Sequence, residues 1–213
     1  MDNVWVDILA RWFHGLFGIT WIGLLYYFNF VQGEYFKEAS QDALPDVKAK
    51  LAPRALWWFR WGAMMTFLTG VLLLGVLGAT LNGWITLGAL LGTFMMLNVW
   101  LVIWPNQKVV LGMQSGDVPR AAAKAALASR TNTLFSAPML FCMFASKHGA
   151  AVAAGMAPIS TGIGTGLMAA LGLAVLLELN ALFGKMGPMA SVVGVIHLSL
   201  ALTAVMVGLV AYL

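Results

Sequence analysis

Residues 84–104 read WITLGALLGTFMMLNVWLVIW, a run without one charged side chain. Wound as a helix at 1.5 Å per residue, such a run reaches about 30 Å, the thickness of a bilayer's hydrocarbon core. Trp84 and Trp104 bound it where amphipathic rings prefer to sit, and Pro105 stops it. Comparable apolar runs cover 4–32, 57–79, 130–148, 159–183 and 189–213. Two polar stretches, 33–56 and 105–129, read as loops. The expected fold class is therefore all-α: a polytopic integral membrane helix bundle of about six transmembrane helices. It forms a single transmembrane domain over residues 1–213.

Local signals punctuate these runs. Asn82-Gly83 predicts a tight turn. Asp117 is placed as an N-cap, with Pro119 in the first turn of the helix it opens. Pro138 is expected to kink the fourth span. Gly162 and Gly166 have the Gly-x-x-x-Gly spacing of close helix packing.

Composition excludes several classes. The 213 residues are 61% hydrophobic and 9% charged, against roughly 25% charged in soluble domains. The net charge of +4 comes with no basic stripe carrying spaced aromatics, so nucleic acid is not an expected partner. Cys142 is the sole cysteine, which rules out an internal disulfide and a Cys-x-x-Cys-His attachment for c-type haem. The start, with Asp2 and Asp7 ahead of a long apolar run, does not read as a cleavable signal. Lys37, Lys48, Lys50, Arg54, Arg60, Lys108, Arg120, Lys124, Arg130 and Lys185 gather at one end of the spans. The positive-inside rule makes that end cytoplasmic, puts both termini in the periplasm and predicts a multi-pass protein of the bacterial inner membrane.

Ionisable groups inside spans are costly, so each is a functional candidate. His14 and His148, counted from the cytoplasmic ends, both lie at a depth of about 27 Å. Two imidazoles at one level are a donor set for a b-type haem held from both sides. In that reading His14 and His148 are the metal ligands, His197 is a further candidate, and Arg11 with Lys147 faces the propionates. The alternative leaves His148 as an interfacial residue and His14 bonded to a neighbouring carbonyl. At the inner end, Glu178 and Arg130 are expected partners, joined by Asn98, Asn106, Gln107, Asn132 and Asn180 in a polar pocket. That cluster reads either as a substrate, quinone or proton site, or as a clamp that fixes helix register.

Four blocks carry a family resemblance. Arg11-Trp12-Phe13-His14 with Gly18-Ile19-Thr20-Trp21-Ile22-Gly23 resembles the first helix of the membrane-bound urate oxidase (urate hydroxylase) family. Asn98-Val99-Trp100 running into Ile103-Trp104-Pro105-Asn106-Gln107-Lys108 resembles a second block. Ser129-Arg130-Thr131-Asn132-Thr133 with Pro138-Met139-Leu140-Phe141 and His148 resembles a third, and Glu178 with Asn180-Ala181-Leu182-Phe183-Gly184 a fourth. The opening block is the less specific, being shared with other haem- and copper-linked membrane proteins. The resemblance implies an inner-membrane redox protein linked to urate oxidation, with Arg130, Asn132, Glu178 and Asn180 as candidate catalytic residues. Many family members carry a periplasmic cytochrome c domain. Without that motif here, the resemblance implies electron transfer to a separate cytochrome, a quinone or a larger membrane complex.

Other classes stay open. A non-catalytic accessory or assembly subunit of a respiratory or oxidase complex fits the lack of extramembrane domains. A transporter fits less well, because no pair of matching broken helices appears.

Overall fold

The structure is a computed structural model that describes residues 4–77, 81–148 and 163–213. Among these there is no β-strand. The chain forms α1 (Val4–Tyr26), α2 (Gly33–Glu38), α3 (Ala43–Asp46), α4 (Ala52–Leu77) and α5 (Gly83–Leu97), then α6 (Trp104–Val110), α7 (Val118–Ala145), α8 (Thr165–Phe183) and α9 (Val192–Tyr212). Three π-helical turns, Tyr27–Gln32, Val47–Leu51 and Asn98–Ile103, join α1 to α2, α3 to α4 and α5 to α6 without a break. The continuous helices Val4–Glu38, Ala43–Gly75 and Gly83–Val110, together with α8 and α9, are five that are long and apolar enough to cross a membrane.

α7 is not among those five, for a physical reason. Thr131, Asn132, Thr133, Leu134, Phe135 and Ser136 are consecutive and all buried. At about 100° per residue they cover the whole circumference, so protein surrounds the helix here. A helix enclosed this way meets little lipid and can carry polar side chains, provided its neighbours satisfy them. α7 packs on α5, α6, α8, α9 and α1, and α1 packs mainly on α4.

The polar stretches between the apolar runs are largely helical. Most of 33–56 is helical, as α2, α3, a π turn and the start of α4. The stretch 105–129 supplies α6 and the first turns of α7. Asp117 caps α7, its Oδ1 accepting from the Arg120 N–H at 3.0 Å. Asn82 does more than turn the chain: its Oδ1 accepts from the Ile85 N–H at 3.1 Å and so caps α5. Gly112, at φ +72°, ends α6 in the left-handed conformation that glycine adopts without strain. α7 runs on through Pro138. Gly162 lies outside the described residues. Gly166 packs on α9, where an added Cβ would strike the Leu209 carbonyl.

Candidate functional site

The residues expected in one inner polar pocket fall into two separate groups. One group is a buried clamp joining three helices. Asn132 on α7 is fully buried and donates Nδ2–H to the Met95 carbonyl at 2.9 Å. Its Oδ1 accepts from Asn98 Nδ2 at 3.0 Å, and the same Nδ2 donates to Glu178 Oε2 on α8 at 3.0 Å. A backbone carbonyl can only accept, so it fixes the direction of every bond in this chain. Glu178 Oε2 must therefore be an acceptor whatever the charge of the carboxyl. Glu178 does not meet Arg130 here: no ion pair or hydrogen bond joins them, because Asn98 reaches the carboxyl.

Asn180 takes no part in that clamp. Two positions beyond Glu178, it points roughly 200° around the helix. Its Nδ2 donates to the Lys185 carbonyl at 3.2 Å, and its Oδ1 accepts from the Lys185 N–H at 3.3 Å. It closes the C-terminal end of α8, where carbonyls lose their helical partners.

Arg130 belongs to the other group. It lines a cavity of about 290 Å³ whose wall includes Phe28, Asn29, Gln32, Phe36, Lys48, Phe59, Gln107 and Ser129. Two polar atoms in this wall are buried without a partner, Arg130 Nη1 and Gln32 Oε1. Gln32 is 8% exposed. One atom is a cationic donor and the other an acceptor, and neither makes a hydrogen bond to protein, although Glu34 lies close enough to Arg130 to act on its charge. Asn29 is held in place, donating to the Leu25 carbonyl at 2.9 Å and to Ser129 Oγ at 2.8 Å. All three π-helical turns contribute to the wall, with Phe28, Asn29 and Gln32 from the first, Lys48 from the second and Ile103 from the third. A π turn inserts one residue and rotates the helix beyond it, and such turns recur at functional sites.

The histidines stand apart from both groups. His14 Nδ1 lies 2.9 Å from the Thr66 carbonyl and 3.1 Å from Thr69 Oγ1, so it bridges α1 to α4. The carbonyl requires the proton on Nδ1, which leaves the Nε2 lone pair free. Anchoring one ring nitrogen in this way is how metal-bound histidines are oriented. His148 and His197 are exposed, and no hydrogen bond joins either of them to His14. Arg11 is held by Asp7 in a two-pronged ion pair, at 2.8 and 2.9 Å. Among the described residues no cluster of three or more His, Cys, Asp or Glu could hold a metal ion.

The family model for the urate oxidase N-terminal region matches residues 77–206. That is more than half of the chain. The chain belongs to the urate oxidase N-terminal family. No curated protein matches it, and no solved structure does. The match covers the α5–α6, α7 and α8 blocks that carried the resemblance and begins after the block in α1. Within the urate oxidase N-terminal match lie Arg130, Gln107, Ser129 and the whole Asn98–Asn132–Glu178 clamp. Asn29 and Gln32 lie before it, and sequence reading passed them over. The signal available was two amides one turn apart at the inner end of an otherwise apolar run.

Proposed function

We propose that this chain is the membrane part of a urate-oxidising redox system of the bacterial inner membrane. In this reading the cavity beside Arg130 receives the substrate, and electrons leave to a separate cytochrome or to a quinone. The observation that carries it is that Arg130 Nη1 and Gln32 Oε1 are both buried without a hydrogen-bond partner and belong to residues that line the same cavity. Unmet polar groups at such depth are costly, and a ligand that completes them offsets that cost.

Urate is a planar anion bearing ring N–H groups and carbonyl oxygens. Arg130 would offset its negative charge through charge-assisted hydrogen bonds. Gln32 would accept from a ring N–H, and Phe28, Phe36 and Phe59 would flank the flat ring. The Asn29–Ser129 hydrogen bond braces the π turn that carries Gln32 against α7, which carries Arg130. The Asn98–Asn132–Glu178 clamp secures α7 against α5 and α8, which fixes the helix that presents Arg130.

The experiment is spectroscopic. Urate added to membranes that contain the chain and its native partners should reduce a cytochrome or quinone, and membranes lacking the chain should not respond. No reduction, combined with co-purification in fixed ratio with a larger oxidase complex, would favour the accessory-subunit role instead.

A further inference from the structure

A second polar feature lies on the outer surface, at the Lys- and Arg-rich end of the bundle. The guanidinium carbon of Arg60, on α4, lies 3.8 Å from the centroid of the Trp104 ring, which opens α6. Lys108, one turn further along α6, approaches the same ring at 6.0 Å. No carboxylate pairs with either cation among the described residues. The backbone that carries Arg60 is tied to the neighbouring helix: Trp100 donates its indole N–H to the Arg60 carbonyl at 3.0 Å, and Trp61 meets Trp100 edge-on at 5.3 Å. None of Arg60, Trp104 and Lys108 lines the Arg130 cavity.

The same helix continues into the apolar zone through Leu101 and Leu97, which are 68% and 38% exposed. Read from the middle of the bundle outward, the side chains change from exposed aliphatic, at Leu97 and Leu101, to half-buried aromatic and cationic, at Trp104, Arg60 and Lys108. A phospholipid leaflet has that profile, from acyl chain through glycerol to headgroup. A guanidinium stacked on an indole keeps its edge N–H groups directed outward, where they can fork onto a phosphate. A free anion would engage the two cations and leave the leucines and the tryptophan edge unused. An amphiphile with an anionic head engages all of them.

We propose that Arg60, Trp104 and Lys108 bind the phosphate of an anionic phospholipid whose acyl chains lie along Leu101 and Leu97. The site is independent of the urate reading and would persist if that reading failed. It is a fixed lipid position at the junction of α4 and α6, where it would tie the two helices together at the membrane surface.

The test is retention of defined lipids by the full chain, read by native mass spectrometry. Detergent-purified protein is offered phosphatidylglycerol and phosphatidylcholine in equal amounts. The wild type should keep phosphatidylglycerol preferentially. Arg60→Gln and Lys108→Gln should each weaken that retention about fivefold, the effect of one basic residue near an anionic headgroup. Arg120→Gln, in the exposed first turn of α7, should leave it unchanged. Lys108 lies on a short surface helix, so its variant carries the test even if Arg60→Gln folds poorly. Inorganic phosphate at millimolar concentration should not displace the lipid. Equal retention of the two lipids, insensitivity to both substitutions, or displacement by phosphate alone would overturn the proposal.

Discussion

Ser199 on α9 donates its hydroxyl proton to the Leu134 carbonyl of α7 at 2.8 Å, and that carbonyl is the one Pro138 leaves without a helical partner. Proline has no N–H, so the oxygen four residues earlier is orphaned. In lipid such an oxygen must be met from within the protein. Ser199→Ala should therefore lower stability by about 0.6 kcal/mol, and by no more than about 1.7 kcal/mol, the range for interhelical hydrogen bonds in membranes. Pro138→Ala restores the N–H, so Ser199→Ala should cost less in that background. Unfolding of the four proteins in a double-mutant cycle checks this. An equal cost in both backgrounds would count against the link.

The direction of the Asn98–Asn132–Glu178 chain supplies a second prediction. Because the Met95 carbonyl forces Asn98 to donate, Gln at 178 can still accept through its amide oxygen. Glu178→Gln should stay close to wild type in thermal stability. Asn98→Leu strands both Asn132 Oδ1 and Glu178 Oε2 and should cost about 1–3 kcal/mol. Thermal unfolding in detergent compares the two variants. A larger loss in Glu178→Gln than in Asn98→Leu would mean the carboxyl does something other than clamp.

Glycines on α8 separate packing from lipid exposure. A Cβ on Gly166 would run into the Leu209 carbonyl, whereas one on Gly172 meets nothing within 4 Å. Gly166→Ala should destabilise the bundle by about 1–3 kcal/mol as α8 and α9 are forced apart. Gly172→Ala should be neutral or slightly stabilising, since alanine is the better helix former. Paired melting curves decide it.

The membrane character and the all-helical fold are legible in runs such as 84–104, because lipid leaves a chain few alternatives to a helix. Arg130 also stands out, as a cation at the edge of an apolar run. Its neighbours do not. Gln32 and Asn29 reach the cavity through the π turn at 27–32, and a 3.6-residue periodicity carries no sign of the extra residue that turns them inward. The expected Glu178–Arg130 pair does not form. Glu178 lies near the end of α8 and Arg130 midway along α7, and Asn98 from a third helix reaches the carboxyl instead. Asn180 shares a sequence block with Glu178, yet the helix ends there and its amide is drawn to the terminus.

Binding of urate to the detergent-purified chain, followed by equilibrium dialysis, tests the central claim most directly. The account predicts that the wild type binds, that Arg130→Gln weakens binding at least about tenfold as one charge-assisted hydrogen bond is lost, and that Gln32→Leu weakens it too. Glu178→Gln should bind like the wild type. Undiminished binding by Arg130→Gln, or loss of binding in Glu178→Gln alone, would contradict the assignment of the cavity beside Arg130.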